Sequence, residues 1–139
     1  KMSISARNQL GGAIEEVQKG AVNAIVVLKT KGGDKVTATI SMAAVEELGL
    51  APGKDAVAVI KATEVMIGMG EMKISARNQF AGEIVKIGEG AVNAIVTLEM
   101  AGGSKLSSTI SMAAVKELGL APGIKAKAII KATSVMIAV

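Results

Sequence analysis

Polar and apolar residues alternate from the start of the chain. Ile4, Ala6, Asn8 and Leu10 fall on one side of an extended segment, and Ser5, Arg7 and Gln9 on the other. That is the two-residue period of a strand with one polar face. Gly11 and Gly12 predict a bend or bulge, after which the strand resumes through Ile14 and Val17. Ala21 to Thr30 is apolar and β-branched, Gly32-Gly33 predicts a turn, and Lys35 to Ile40 predicts a third strand. Ser41 predicts the N-cap of a short helix over Met42 to Leu48, stopped by Gly49 and then by Pro52-Gly53. Ala56 to Ile60 and Val65 to Ile67 predict two further strands.

The same order then repeats. Shifting the chain by 70 residues aligns it on itself without a gap, and about 43 of the 69 aligned pairs are identical. Ser5 to Gln9 recurs at Ser75 to Gln79, Gly20 to Val26 at Gly90 to Val96, and Thr39 to Val45 at Thr109 to Val115. A tandem duplication follows. Three strands, one helix and two strands is the element order of the OB-fold. The expectation is therefore a mainly β chain of two tandem OB-fold-like five-stranded Greek-key barrels, each with one short helix. The first module spans 1–68, the second 71–139, and Gly68 to Gly70 forms a short glycine-rich joint. Units of this size hold a core of marginal stability, which predicts burial against a neighbour and hence oligomerisation.

Composition narrows the chemistry. In 139 residues there is no Cys, His, Trp or Tyr, and the one aromatic residue is Phe80. A thiolate or imidazole metal site, a Cys nucleophile, a Ser-His-Asp triad and a disulfide framework are all excluded. Base stacking on aromatic rings is nearly so. The formal charge of +4 is dispersed, without a basic run suited to nucleic acid or a membrane surface. No apolar stretch approaches the roughly 20 residues that span a bilayer. The N-terminus turns polar within a few residues, which predicts no signal peptide and a cytoplasmic location. Lys1 precedes the methionine that matches Met72.

The remaining candidates are hydrogen-bond donors at repeated positions. Arg7 and Arg77 are the chain's two arginines, each with a hydroxyl two residues earlier, Ser5 or Ser75. A guanidinium is always charged and presents a planar fork of donors suited to an oxyanion; the plainer alternative is a surface arginine paired with an acid. Lys61 and Lys131 sit inside apolar stretches, either as edge guards of a strand or as ammonium groups at a junction between subunits. Ser41 and Ser111 open the predicted helices, where a plain cap and an anion contact are compatible roles. Gly20 to Asn23 and Gly90 to Asn93 are small-residue turns whose N–H groups suit a nest, with Val22, Asn23, Val92 and Asn93 as a possible second kind of anion site. Met42, Met66, Met112 and Met136 read as core filler. Without a general base or nucleophile pair, the set recognises an anion rather than turning it over, and no enzyme is expected.

These strings resemble the molbindins. Ile-Ser-Ala-Arg-Asn-Gln, Gly-Ala-Val-Asn-Ala, the Ile-Ser start of the helix and Ile-Lys-Ala-Thr occur in both copies, in the order found in that family. Molbindins are small cytoplasmic molybdate- and tungstate-binding proteins built from the Mop module, and two modules in one chain resemble the di-domain form. The resemblance implies storage or homeostasis of molybdate or tungstate in a homotrimer, a pseudo-hexamer of modules, with no organic cofactor. It implies that Ser5, Arg7 and Lys61 approach one anion, with Ser41 offered from a neighbouring module. Ser75, Arg77, Lys131 and Ser111 act likewise in the second copy. One departure is that a further hydroxyl, found in related regulatory modules three residues after the helix-opening residue, is replaced here by Ala44 and Ala114. The competing expectation is a regulatory module that docks onto a partner protein when the anion is bound.

Overall fold

A computed structural model describes residues 3–139. Its strands are β1 (Asn8–Lys19), β2 (Asn23–Thr30), β3 (Lys35–Ser41), β4 (Asp55–Ile60) and β5 (Met66–Gly68), with helix α1 (Met42–Leu48) between β3 and β4. The second copy repeats them as β6 (Asn78–Glu89), β7 (Asn93–Met100), β8 (Lys105–Ser111), β9 (Lys125–Ile130) and β10 (Met136–Ala138), with α2 (Met112–Leu118) after β8. A single 3-10 turn precedes each last strand, Ala62–Glu64 and Ala132–Ser134. The chain is mainly β, in two five-stranded sheets, as the periodicity predicts.

Local signals account for most boundaries. The Ser41 hydroxyl accepts from the Ala44 N–H at 3.0 Å, and Gly49 closes the helix in the left-handed region at φ 61°. The bulge falls elsewhere than predicted: the register of β1 against β2 shifts between Ile14 and Glu16, not at Gly11-Gly12. Gly12 does a different job. A Cβ there would collide with the backbone carbonyl of Lys29, so its absence lets β1 bend tightly over β2. The first half of β1 pairs with β4 and the second half with β2, which curls one long strand around the barrel.

The fifth strand forms where the sequence places it, but its partner is one that the sequence reading does not address. The sheets run β10-β4-β1-β2-β3 and β5-β9-β6-β7-β8, so each copy closes its sheet with the last strand of the other. Met136 pairs with Val59, and Met66 with Ile129. The 3-10 turn after Lys61 redirects the chain across to β8 instead of reversing it into a hairpin with β4. Periodicity predicts that Val65 to Ile67 is extended, but extension carries no information about which strand it joins.

Two buried asparagines complete the exchange. The Asn8 side chain donates to the Ser107 carbonyl at 2.8 Å and accepts from the Ser107 N–H at 2.7 Å. Asn78 does the same to Thr37, both bonds at 2.8 Å, and also donates to the Ile130 carbonyl at 3.2 Å. Each amide thus stands in for a strand residue against the edge of the other copy's third strand. The cores merge too: Ile14, Leu28, Ile60 and Val65 belong to one buried cluster with Ile84, Leu98, Ile130 and Val135. Replacing Asn78 by Ala strips the Thr37 N–H and carbonyl of their partners. We expect Asn78→Ala to lower unfolding free energy by about 2–4 kcal/mol, read from chemical denaturation; a loss below about 0.5 kcal/mol would contradict the bracing role.

Candidate functional site

Arg7 and Arg77 do not lie within strands. Residues 3–7 and 71–77 are irregular lead-ins, and the first ladder residues are Asn8 and Asn78. The lead-ins are nevertheless held. The Gln9 side chain donates to the Ala6 carbonyl at 3.0 Å and the Ile4 carbonyl at 3.4 Å, and Gln79 donates to Ala76 at 2.9 Å and Ile74 at 3.2 Å. Arg7 therefore projects from a loop fixed by Gln9 and anchored by the buried amide of Asn8. Sequence reasoning passed over both supports, although their place beside the arginine in a repeated string was visible.

Lys61 and Lys131 are not strand edge guards; they lie just past the strand ends, as the predicted Ala56 to Ile60 bounds allow. Each is the exposed residue between the end of β4 or β9 and the following 3-10 turn, in extended backbone. There the fold brings the candidates together. One pocket of about 330 Å³ is lined by Ser5, Arg7, Lys61 and Thr63, together with Thr109 and Met136 from the other copy. Its counterpart, about 300 Å³, is lined by Ser75, Arg77, Lys131 and Thr133, with Met66 from the first copy. No carboxylate lines either pocket. Thr63, Thr133 and Thr109 are additional hydroxyls that the sequence reading did not single out. Among the described residues the ion pairs within 4 Å are Lys35 with Glu15 and Lys125 with Glu83, so neither arginine is neutralised by an acid.

Two methionine expectations are corrected. Met66 and Met136 are not core filler: they are 42% and 43% exposed and form pocket walls. Strand exchange is the cause, since it lays β10 beside β4 and β5 beside β9, next to the lysines. A larger concavity, of about 540 Å³, lies elsewhere. It carries Glu71, Glu83 and Glu99 beside Lys125 and Lys127, a mixed lining that repels anions as much as it attracts them.

Ser41 and Ser111 line neither pocket. Their hydroxyls accept from Ala44 and Ala114, which leaves each O–H free to donate outward from an exposed position. Asn23 lies directly opposite Ser41 in the β2–β3 ladder, and the Val22 carbonyl accepts from the Met42 N–H at 2.8 Å. The Val22 and Val92 side chains are 74% exposed. The turn, the helix cap and the exposed valine therefore form one surface cluster in each copy.

With this geometry in place, comparison with known proteins becomes informative. The TOBE domain model matches residues 4–67 and 74–137, and the chain belongs to that family, in two tandem domains. It is 44% identical to the cytoplasmic molybdate-binding protein ModG, whose structure has molybdate bound; the two superpose with a TM-score of 0.96 over 99% of each chain. It is 38% identical to the molybdenum transport protein ModE of Azotobacter vinelandii and 37% to the molybdenum-pterin-binding protein MopA of Rhodobacter capsulatus, each over 99% of this chain. The chain spans about half the length of both relatives, 52% in each case. A probable molybdenum-pterin-binding protein of Haemophilus influenzae is 63% identical over 68 residues, the length of one repeat. The molbindin resemblance read from the sequence agrees with these matches. No helix among the described residues is long and apolar enough to cross a membrane.

The caps yield a stability prediction independent of any ligand. Ser41→Ala and Ser111→Ala should each cost about 1 kcal/mol, measured by denaturant titration; a neutral result would remove the capping role.

Proposed function

We propose that this chain binds molybdate or tungstate in its two arginine pockets and stores it reversibly in the cytoplasm, without catalysis. The observation that carries the reading is the lining: in both copies Ser, Arg and Lys converge on one concave site that no carboxylate shares. A tetrahedral dianion accepts several hydrogen bonds at once, and a guanidinium, an ammonium and hydroxyls supply them with matching charge. Molybdate bound to ModG, a protein of the same fold over its whole length, supports the choice of ligand.

In this reading the chain works as a homotrimer, a pseudo-hexamer of modules. Exposed apolar residues flank each donor set, Ile4 at 47% with Met136 at one pocket and Ile74 at 42% with Met66 at the other. A neighbouring chain covers them and brings its Ser41 or Ser111 hydroxyl to complete the donor set. The clusters around Val22-Asn23 and Val92-Asn93 form the second kind of site where three chains meet. An alternative, an oxyanion-responsive module docking onto a partner protein, draws support from the match to ModE, of which this chain corresponds to half.

Native mass spectrometry with molybdate, with tungstate, and with sulfate as control tests the proposal. The expected result is a trimer gaining discrete molybdate increments and few sulfate ones. Arg7→Ala and Arg77→Ala should each weaken one class of site by roughly ten- to hundred-fold, the loss of a charge-assisted contact, with the fold intact. A chain that gains no oxyanion mass at micromolar concentration refutes the reading.

A further inference from the structure

Three consecutive residues of β8 engage the first pocket. The backbone of Ser107 takes both ends of the Asn8 amide, next to Arg7. Ser108, fully buried, donates its hydroxyl to the Val65 carbonyl, which closes the 3-10 turn that begins at Lys61. Thr109 lines the pocket itself. The corresponding residues of β3 stand differently toward the second pocket: Thr39, the match of Thr109, does not line it. Thr37 takes the Asn78 amide, while the residue aligned with Ser108 is Ala38. Ala38 is just as buried and has no hydroxyl to give to the turn that carries Lys131 and Thr133.

The remaining difference between the turns does not distinguish them. Glu64 stands where the second copy has Ser134, but the Ser134 hydroxyl donates to the Glu64 carboxylate at 3.4 Å. That bond joins the two turns to each other and bears on both. The residues that each copy's own lead-in and turn bring to its pocket are the same: Ser5, Arg7, Lys61, Ala62 and Thr63 match Ser75, Arg77, Lys131, Ala132 and Thr133. Two other differences stand beside the Ser108 bond, the Thr109 hydroxyl on the wall of the first pocket only and the extra bond from Asn78 to the Ile130 carbonyl, but the Ser108 bond is the one that bears on a lysine turn.

We infer that the two oxyanion pockets are unequal, with Ser108 the positioning residue that pre-organises the Lys61 turn, so that the Arg7 pocket fills before the Arg77 pocket. The inference rests on the oxyanion reading above. Its physical basis is that a donor already held in place loses less freedom when an anion arrives, so more of the contact energy appears as affinity. Ser108 touches no ligand; it acts through the backbone of Val65. A chain with graded sites gives up its anion over a wider range of free concentration than one with identical sites.

The experiment isolates each pocket in the full chain. Arg77→Ala leaves the first pocket and Arg7→Ala the second, and each is titrated with molybdate by calorimetry. The first pocket should bind about five-fold more tightly, the effect expected of one neutral buried hydrogen bond. Adding Ser108→Ala to the Arg77→Ala chain should erase that advantage. Adding Ala38→Ser to the Arg7→Ala chain should tighten the second pocket, a gain that damage to the fold cannot imitate, and thermal unfolding of every variant tracks folding separately. Equal affinities in the two single-arginine chains overturn the inference and leave the oxyanion reading intact. So does a Ser108→Ala effect of the same size on both pockets. Absence of molybdate binding by the unsubstituted chain overturns the oxyanion reading itself, and the inference with it.

Discussion

The bidentate pairing of Asn8 with Ser107 and of Asn78 with Thr37 is the contact on which the arrangement of this molecule depends. A side-chain amide carries the same donor and acceptor as a peptide group, so it can occupy a ladder position against an exposed strand edge without adding a strand. Both asparagines are 2% exposed, where a half-satisfied amide costs more than an apolar side chain of similar size. The bonds are therefore made only when the other copy is correctly docked, and they act as a register check between the repeats. Together with the exchanged fifth strands they make one cooperative body from two units that are each too small to be secure. The arginine immediately before each asparagine inherits this placement. Each pocket draws a methionine from the other copy through the exchanged fifth strand, and the first pocket also draws Thr109 from the third strand to which Asn8 is bonded.

Short-range features were legible in the sequence for short-range reasons. The helix from Met42 to Leu48 has its cap at Ser41 and its left-handed stop at Gly49, and both signals lie within a turn of the element they end. The duplication and the mainly β class were legible as well, and so was the grouping of Ser5, Arg7 and Lys61 and of their repeats, but not the threonines that join them. Partner choice was not. Met66 and Ile67 are compatible with an extended strand in either sheet, and nothing in their alternation distinguishes β4 from β9 as a neighbour. The surroundings of Lys61 were not legible for the same reason: the end of the strand at Ile60 is readable, but not that the chain then turns away to cross between copies. Alternation from Ile4 to Leu10 likewise suggested a strand four residues longer than the ladder that forms. There the Gln9 side chain bonds the Ala6 and Ile4 carbonyls, a local contact that competes with sheet pairing.

The electrostatics of the chain are decided by where charges sit more than by how many there are. A net charge of +4 over 139 residues is too small to steer an anion from a distance at ordinary ionic strength. What matters is that both arginines lie in pockets without a carboxylate on the wall, while the acids gather elsewhere. The cleft of about 540 Å³ makes the contrast plain, since it is larger than either arginine pocket while its three glutamates oppose an anionic ligand. Concavity by itself selects nothing; the sign and spacing of the donors do.

In the proposed function, selectivity among tetrahedral dianions comes from how far apart those donors are fixed, because sulfate, molybdate and tungstate carry the same charge. The supports are side chains that hydrogen-bond backbone groups, so they fix the course of the main chain. Gln9 holds the Ala6 carbonyl, Ser108 the Val65 carbonyl and Asn8 the Ser107 peptide, so the loops bearing Ser5, Arg7 and Lys61 are braced from behind. A frame braced in this way cannot shrink around a smaller anion, and any donor left unpaired in the attempt carries its full desolvation cost. The methionine wall supplies the opposite property, since an unbranched thioether adapts to a larger occupant at little cost. In the proposed function a rigid donor frame with one soft wall excludes from below and tolerates from above, which favours the larger oxyanions without any residue that recognises the metal itself.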